Sequence, residues 1–167
     1  VVLSACVSLY LIIFIIIYSI NYSYMKDRIH RDIENLKKIV PNMNVKNNVI
    51  LLDITGPKDS HYESGIWKIV IRISKEYPFT SPSVGFIDKI YHPNIDLQSG
   101  TICLNTLNET WSPIYNLSHI YNIFIPQLLL YPNAKDPLNV EAAKLYEENI
   151  EEFKKKVKGY FKFKPLN

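Results

Sequence analysis

The chain has 167 residues, of which 47% are hydrophobic and 21% charged, as is usual for one globular domain of ordinary size. A net charge of +3 is too mild for a nucleic-acid-binding protein, which carries clustered basic residues in larger excess. The two cysteines, Cys6 and Cys103, lie far apart and form neither a zinc spacing nor a disulfide framework. We therefore expect no metal, no nucleic acid and a reducing compartment.

An apolar segment, residues 1–24, precedes the first charged residue, Lys26. About 20 apolar residues can cross a bilayer as a helix, and the basic residues that follow would then leave the rest of the chain in the cytosol. The alternative is upstream sequence that is not part of the working protein, because Met25 stands just before the first amphipathic pattern. We expect a folded domain over residues 25–167, either cytoplasmic or nuclear, or membrane-anchored if residues 1–24 are an anchor.

Hydrophobic periodicity predicts a helix over residues 27–40, where apolar side chains recur every three or four positions until Pro41. Apolar, β-branched runs separated by Gly-Pro or Pro follow and predict strands at 47–55, 65–74 and 83–87. Strands that succeed one another through short turns favour an antiparallel meander.

A long irregular region, residues 88–113, follows the strands, and long loops inside compact domains are usually functional. An almost continuously apolar stretch, residues 116–132, predicts a buried helix that is kinked at Pro126. Two further helices are predicted over residues 138–149 and 150–163. This order of helix, sheet, long loop and helices predicts an α+β domain.

Four motifs resemble, in order and spacing, those of the ubiquitin-conjugating enzymes: YPFTSPSVGF (77–86), YHPNIDLQSGTICLN (91–105), WSP (111–113) and YPNAKDPLN (131–139). The first helix, DRIHRDIENL (27–36), also resembles the family's opening helix, so the resemblance covers about residues 27–163. It implies a UBC-like α+β fold with an N-terminal helix, an antiparallel meander sheet, a long active-site loop and C-terminal helices. Residues 25–167 would then be the catalytic domain.

Within the family the likeness is strongest to the H-type enzymes. It is carried by the extra residue in IDLQSGTIC, by the N-x-T-W pattern of residues 108–111 and by IPQLLLYPN (125–133). Two features depart from that type: the chain ends in basic FKFKPLN where an acidic tail is common, and Ser112–Pro113 is closer to the general family pattern.

The resemblance assigns Cys103 as the nucleophile that carries the modifier as a thioester. Cysteine suits this task because its thiolate is both a good nucleophile and a good leaving group. An unperturbed thiol has a pKa of about 8.5, and no neighbouring His or Lys in the sequence would lower it strongly. We expect moderate nucleophilicity, which suffices for an activated thioester that is held close.

The resemblance places Asp136 beside the incoming lysine, where a carboxylate would orient the amine or accept its proton. Asn94 has two possible roles. Its amide could donate to the oxyanion of the tetrahedral intermediate, or it could only brace its own loop. We expect His92 and Pro93 to be structural residues of the turn, since a base role would require His92 to reach Cys103.

The resemblance further implies a ligase-binding surface formed by Phe79, Trp111, Ser112 and Pro113, where RING- or HECT-type ligases dock. An exposed aromatic side chain beside prolines is a plausible hot spot. Arg28 and Arg31 match basic positions of the first helix that meet the activating enzyme and the ligase, although a plain solvated helix face would explain them as well.

The expected function is therefore that of a ubiquitin-conjugating enzyme. The expected partners are ubiquitin, the activating enzyme, a ligase and protein substrates. No cofactor is expected, because ATP is consumed by the activating enzyme. Three alternatives stay open: a ubiquitin-like modifier instead of ubiquitin, a non-catalytic ubiquitin-conjugating-variant binding module, and a cysteine hydrolase.

Overall fold

The structure is a computed structural model that describes residues 2–102, 107 and 111–161, with side chains from residue 11 onward. Helix α1 runs from Val2 to Ile39 without a break, a length of about 57 Å at 1.5 Å per residue. Residues 11–24 of α1 are exposed, and the part that packs on the domain begins at Met25. Among the residues whose side chains are described, no helix is both long and apolar enough to cross a membrane.

Four strands follow and form one antiparallel sheet in the order β1-β2-β3-β4. Their bounds are Asn44–Lys46 (β1), Val49–Thr55 (β2), Ile66–Arg72 (β3) and Ser83–Phe86 (β4). The predicted meander is confirmed, but β1 was not predicted. Its three side chains are all exposed, so it has none of the alternation that reveals a half-buried strand.

The turn between β1 and β2 consists of Asn47 and Asn48, which have positive φ angles of 50° and 61°. Two consecutive residues with positive φ are the requirement of a type I′ hairpin, and Asn tolerates that conformation better than most residues. The turn brings the exposed β1 against the edge of β2.

A helical stretch that contributes to the core has three parts: α2 (Leu117–His119), a π-helical segment (Ile120–Phe124) and α3 (Ile125–Leu130). The predicted disturbance at Pro126 takes the form of this wider turn. Pro126 has no N–H to donate, and the preceding Ile125 donates five residues back to the Ile120 carbonyl.

Helix α4 spans Val140–Glu148 and helix α5 spans Ile150–Gly159. The last helix was predicted to reach residue 163, but it ends at Gly159, and residues 162–167 lie outside the described part. Asn139 and Asn149 cap the two helices by accepting the N–H groups of Ala142 and Glu152.

The core lies between the sheet and the helices. Its largest buried side chains come from β2, the connection between β2 and β3, β3, the turn after β3 and α5, and include Ile50, Tyr62, Trp67, Ile69, Ile71, Tyr77 and Phe153. Leu36 of α1 and Leu117, Ile120 and Leu129 of the helical stretch from α2 to α3 also belong to it. The predicted α+β class, with an N-terminal helix, a meander sheet and C-terminal helices, is confirmed.

Candidate active site

The His-Pro-Asn turn is buried in full and holds the segment that follows α3. His92 has no exposed surface, and its Nδ1 accepts the Asn94 backbone N–H at 2.9 Å. The ring proton is therefore on Nε2, which donates to the Leu128 carbonyl at 2.9 Å. Burial lowers the pKa of His92 to about 4, with the Leu128 hydrogen bond opposing the shift. The ring is thus a neutral structural link with both nitrogens occupied.

Pro93 adds a second link to the same segment. Its carbonyl accepts the backbone N–H groups of Leu138 and Asn139, both at 2.9 Å. These two residues come just before α4, so the start of that helix is fixed against the turn.

Asn94 makes the third link through its side chain. Its Oδ1 accepts the Asn133 N–H at 2.8 Å, and its Nδ2 donates to the Asn133 carbonyl at 2.7 Å and the Asp136 carbonyl at 3.1 Å. Both amide protons are therefore in use. Of the two roles left open by the sequence, bracing is the one visible in this geometry, and donation to an oxyanion would require the release of a loop carbonyl.

Asp136 lies on the loop that this turn holds, and its side chain is exposed to solvent. Its backbone is tied to Asn94, and the neighbouring Lys135 donates its backbone N–H to the Asn133 side chain at 3.1 Å. A carboxylate on a firmly held loop and open to solvent is accessible to an incoming amine.

The loop that leads to Cys103 is fixed by hydrogen bonds within it and by its close approach to β4. Asp96 Oδ1 accepts both the backbone N–H and the hydroxyl of Ser99, at 2.7 and 2.6 Å. Gly100 follows with a φ of +70°, and a Cβ there would lie 1.8 Å from the Phe86 carbonyl oxygen. Only glycine allows this close approach to β4.

The described chain before Cys103 ends at Ile102, which is 8% exposed and forms an antiparallel bridge with Ile95. Ile95 directly follows Asn94, so the chain enters the next segment beside the His-Pro-Asn turn. Cys103 itself lies outside the described residues, as do residues 104–106 and 108–110.

The predicted ligase-binding residues lie on two adjacent loops. Phe79 is 65% exposed, and Pro113 is also exposed. Trp111 and Ser112 are half-buried, and the Trp111 indole Nε1 donates to the Pro78 carbonyl at 2.8 Å, which joins the two loops. We call the exposed side chains of Phe79, Pro113 and Ile114 the apolar docking patch.

Ile114 was missed in the sequence, although its side chain is 77% exposed beside Pro113. It lies outside the WSP motif, and only its position just after a Pro in a loop could have indicated it.

Arg28 and Arg31 differ in their surroundings. Arg31 is exposed on α1, as expected for either a partner contact or a solvated face. The Arg28 side chain is only 11% exposed, its Nε donates to Asp32 at 2.6 Å, and its Nη2 donates to the Tyr115 carbonyl at 2.7 Å. Neither expectation describes Arg28, because its guanidinium is largely covered and bonds to Asp32 and to the Tyr115 carbonyl within the protein.

Asp32 and the hydroxyl of Tyr77 were also missed as polar residues of the interior. Asp32 is 3% exposed and accepts the Tyr77 hydroxyl at 2.5 Å. The only signal in the sequence was an acidic residue on the apolar stripe of the first helix, four residues before Leu36. In the described ranges, His, Cys, Asp and Glu side chains form no group of three or more that could hold a metal ion.

Comparison with known proteins places this geometry in a family. Residues 24–161 match the family model of the ubiquitin-conjugating enzymes. The chain is 52% identical over 105 residues to "Ubiquitin-conjugating enzyme E2-23 kDa" of Triticum aestivum, an alignment that covers 63% of this chain and 57% of the relative. It is also 52% identical over 109 residues to "Ubiquitin-conjugating enzyme E2 5" of Arabidopsis thaliana, covering 65% of this chain and 59% of the relative.

The chain thus spans less than two thirds of the length of these curated relatives. A crystal structure assigned as a ubiquitin-conjugating enzyme of Plasmodium yoelii superposes with a TM-score of 0.75 at 30% identity. It covers 84% of this chain and 97% of its own. Because the family model matches residues 24–161, which is more than half of the sequence, the chain belongs to the ubiquitin-conjugating enzyme family.

Proposed function

We propose that this chain accepts ubiquitin from an activating enzyme as a thioester on Cys103 and transfers it, together with a ligase, to the side chain of a substrate lysine. One observation carries the proposal. The buried His-Pro-Asn turn fixes two segments at once: the Asp136 loop, through Asn94, and the entry to the Cys103 segment, through the bridge between Ile95 and Ile102.

The first step exchanges one thioester for another. The Cys103 thiolate attacks the carbonyl carbon that is bound to the activating enzyme's cysteine, a new C–S bond forms, and the old C–S bond breaks to release that cysteine as a thiolate. The step is near thermoneutral because the two bonds are alike, so holding the reactants close is the main requirement.

The second step makes an amide. The neutral lysine amine attacks the thioester carbonyl, a C–N bond forms, and Cys103 leaves as a thiolate while the amine loses a proton. Lysine has a pKa of about 10.4, so only about one amine in a thousand is neutral at pH 7. The exposed carboxylate of Asp136 is proposed to orient the amine and accept this proton.

The contacts of His92 argue against a cysteine hydrolase. A hydrolase of the Cys-His type needs an imidazole that takes the thiol proton. In His92 one nitrogen accepts the Asn94 N–H and the other donates to Leu128, and the ring is fully buried. It is therefore not free to act as a base.

Several finer assignments are part of the same proposal. The apolar docking patch, Trp111 and Ser112 are proposed to bind a RING- or HECT-type ligase, and the H-type likeness is proposed as the subtype. Residues 25–167 are proposed as the catalytic domain, which is supported by the start of the family match at residue 24. Its expected place is the cytoplasm or nucleus, or a cytosolic membrane face if residues 1–24 anchor it.

The test is a thioester assay on the full chain with activating enzyme, ATP and ubiquitin. We expect an adduct of one ubiquitin that dithiothreitol removes. The adduct should be absent in Cys103→Ala and should become an oxyester that resists dithiothreitol in Cys103→Ser. Cys6→Ser is the matched control, because it alters the other cysteine of the chain and should keep the reducible adduct.

The alternatives give different results in this assay. A binding module forms no adduct with any modifier, although it is folded. A conjugating enzyme for another modifier forms a reducible adduct only with one member of a panel of ubiquitin-like proteins and their activating enzymes. Either result would overturn the proposal for ubiquitin.

A further inference from the structure

A buried carboxylate on α1 joins three segments that are distant in sequence. Asp32 is 3% exposed, and its Oδ2 accepts the Arg28 Nε at 2.6 Å and the Tyr77 hydroxyl at 2.5 Å. Bonds to an ionised acceptor are among the stronger hydrogen bonds in proteins. Burial of such a group is costly unless all its partners are in place.

Arg28 extends the network from Asp32 to the loop before α2. Its Nη2 donates to the Tyr115 carbonyl at 2.7 Å, and Tyr115 in turn donates its N–H to the Ser112 carbonyl at 2.9 Å. The guanidinium also lies over the Tyr77 ring, 5.9 Å from its centroid. The backbone that carries Pro113 and Ile114 is thus bonded to α1 through the Arg28 guanidinium, which in turn is paired with Asp32.

Tyr77 extends the network to the turn after β3. Its ring is fully buried and packs against the Trp111 indole with a centroid distance of 5.9 Å. Trp111 returns to the same turn by its bond to the Pro78 carbonyl, one residue before Phe79. The turn with Phe79 and the loop with Ile114 are therefore joined to each other by the Trp111 bond, and both are linked to α1 through the Asp32 carboxylate.

The exposed side chains of the apolar docking patch have few packing contacts that could set their spacing. Phe79 is 65% exposed and Ile114 is 77% exposed. Their relative position must come from the backbone of the two loops, and those backbones are tied to α1 by Arg28 and Tyr77. Loss of charge at Asp32 weakens the acceptor that both ties share, because a neutral amide oxygen binds the guanidinium and the phenol less strongly than a carboxylate does.

We propose that Asp32 is a positioning residue for ligase binding, which sets the spacing of Phe79 and Ile114 through Arg28 and Tyr77 without contact with ligase, ubiquitin or Cys103. This inference rests on the proposed function. It predicts that ligase-stimulated transfer depends on Asp32, whereas thioester formation and unstimulated discharge to free lysine do not.

The test compares Asp32→Asn, Tyr77→Phe and a matched control, Asp27→Asn, which alters an exposed carboxylate on the same helix. The full chain is loaded with ubiquitin, and discharge to free lysine is measured against the concentration of a RING-domain fragment chosen because it stimulates the wild-type chain. Asp32→Glu, which keeps the charge, serves as the rescue variant.

We expect Asp32→Asn to raise the half-saturating ligase concentration about tenfold, with the maximal stimulated rate and the unstimulated rate unchanged within about twofold. Tyr77→Phe should raise it less, and Asp32→Glu should restore most of the loss. Asp27→Asn should match the wild type.

Two results would overturn the inference: an unchanged half-saturating concentration in Asp32→Asn, or an equal loss of stimulated and unstimulated discharge, which indicates a general structural role. If Asp32→Asn does not fold, Tyr77→Phe decides in the same way, because it removes only a hydroxyl. A wild-type chain that forms no thioester is a failure of the proposed function and is recognised before any variant is compared.

Discussion

The two regions that are proposed to be functional are held by different kinds of buried polar groups. The His-Pro-Asn turn uses neutral groups, and each of its three residues bonds to the segment between Leu128 and Asn139. The apolar docking patch depends on an ion pair, Arg28 with Asp32, and on one phenol. The first region is proposed to hold polar reacting groups, and the second holds exposed hydrophobic side chains.

This difference has an energetic consequence. A neutral hydrogen bond adds about 1 kcal/mol of stability, and loss of one partner leaves a modest penalty. A buried ion pair adds little net stability when intact, but loss of one partner leaves an uncompensated charge and costs several kcal/mol. Single substitutions in the Arg28–Asp32 network should therefore lower the free energy of unfolding more than single substitutions in the His-Pro-Asn turn.

The largest effect on stability is expected from removal of the Asp32 carboxylate, which tests whether the ion pair holds the apolar docking patch. Asp32→Ala leaves the Arg28 guanidinium largely buried without its counterion, and we expect the free energy of unfolding to fall by about 3–5 kcal/mol. Urea denaturation at neutral pH measures this change, with Asp27→Ala as the exposed control. A loss below about 1 kcal/mol would show that the ion pair does not hold the loops of the apolar docking patch.

Acid should lower the free energy of unfolding through protonation of His92 in the His-Pro-Asn turn. Its pKa is about 4 in the folded protein and 6.5 in its ordinary state, so between these values the unfolded chain binds more protons, and stability falls as pH falls. The difference corresponds to about 3 kcal/mol between pH 6.5 and 4. The pH slope of the unfolding free energy should be shallower in His92→Gln than in the wild type, and His30→Gln, an exposed control, should leave it unchanged. Equal slopes in all three proteins would contradict the assignment.

Loss of the Asn94 amide separates bracing from oxyanion stabilisation. We expect Asn94→Ala to retain thioester formation and to slow transfer to lysine roughly 100-fold, about 2.7 kcal/mol. If Asn94 acts by holding the Asp136 loop, the Asn94→Ala/Asp136→Ala double variant should be only slightly slower than either single variant. Effects that multiply would instead indicate an independent oxyanion role. Asn44→Ala, on the exposed β1, is the control for substitution of an Asn.

The smallest effect on stability is expected at the apolar docking patch. Ile114→Ser removes an exposed side chain, so the free energy of unfolding should change by less than about 0.5 kcal/mol. The half-saturating ligase concentration should nevertheless rise, because exposed apolar residues of this kind act as binding anchors. Ile87→Ser, at a 51% exposed isoleucine elsewhere, is the matched control. Equal ligase responses from the two variants would show that Ile114 is no part of the docking surface.

Local pattern was enough to predict most of the fold. The helix before Pro41 and strands β2 and β3 have strong hydrophobic periodicity, and that signal is a property of the sequence itself. Strand β1 was not predicted because an exposed three-residue strand has no alternation of apolar and polar residues. Its existence depends on pairing with β2. The end of α5 falls at Gly159, a residue with low helix propensity, which is a local signal that the hydrophobic periodicity does not contain.

The sequence by itself determined the family, and it also indicated the proposed class of chemistry and the candidate residues Cys103, Asn94 and Asp136, because motif spacing and residue type are properties of the sequence. Only the tertiary structure decided how the polar side chains are used. Arg28 was predicted to face a partner or solvent, and it faces Asp32 because the turn with Tyr77 folds back over α1. Burial and pairing are properties of contacts between distant segments, and no local pattern contains them.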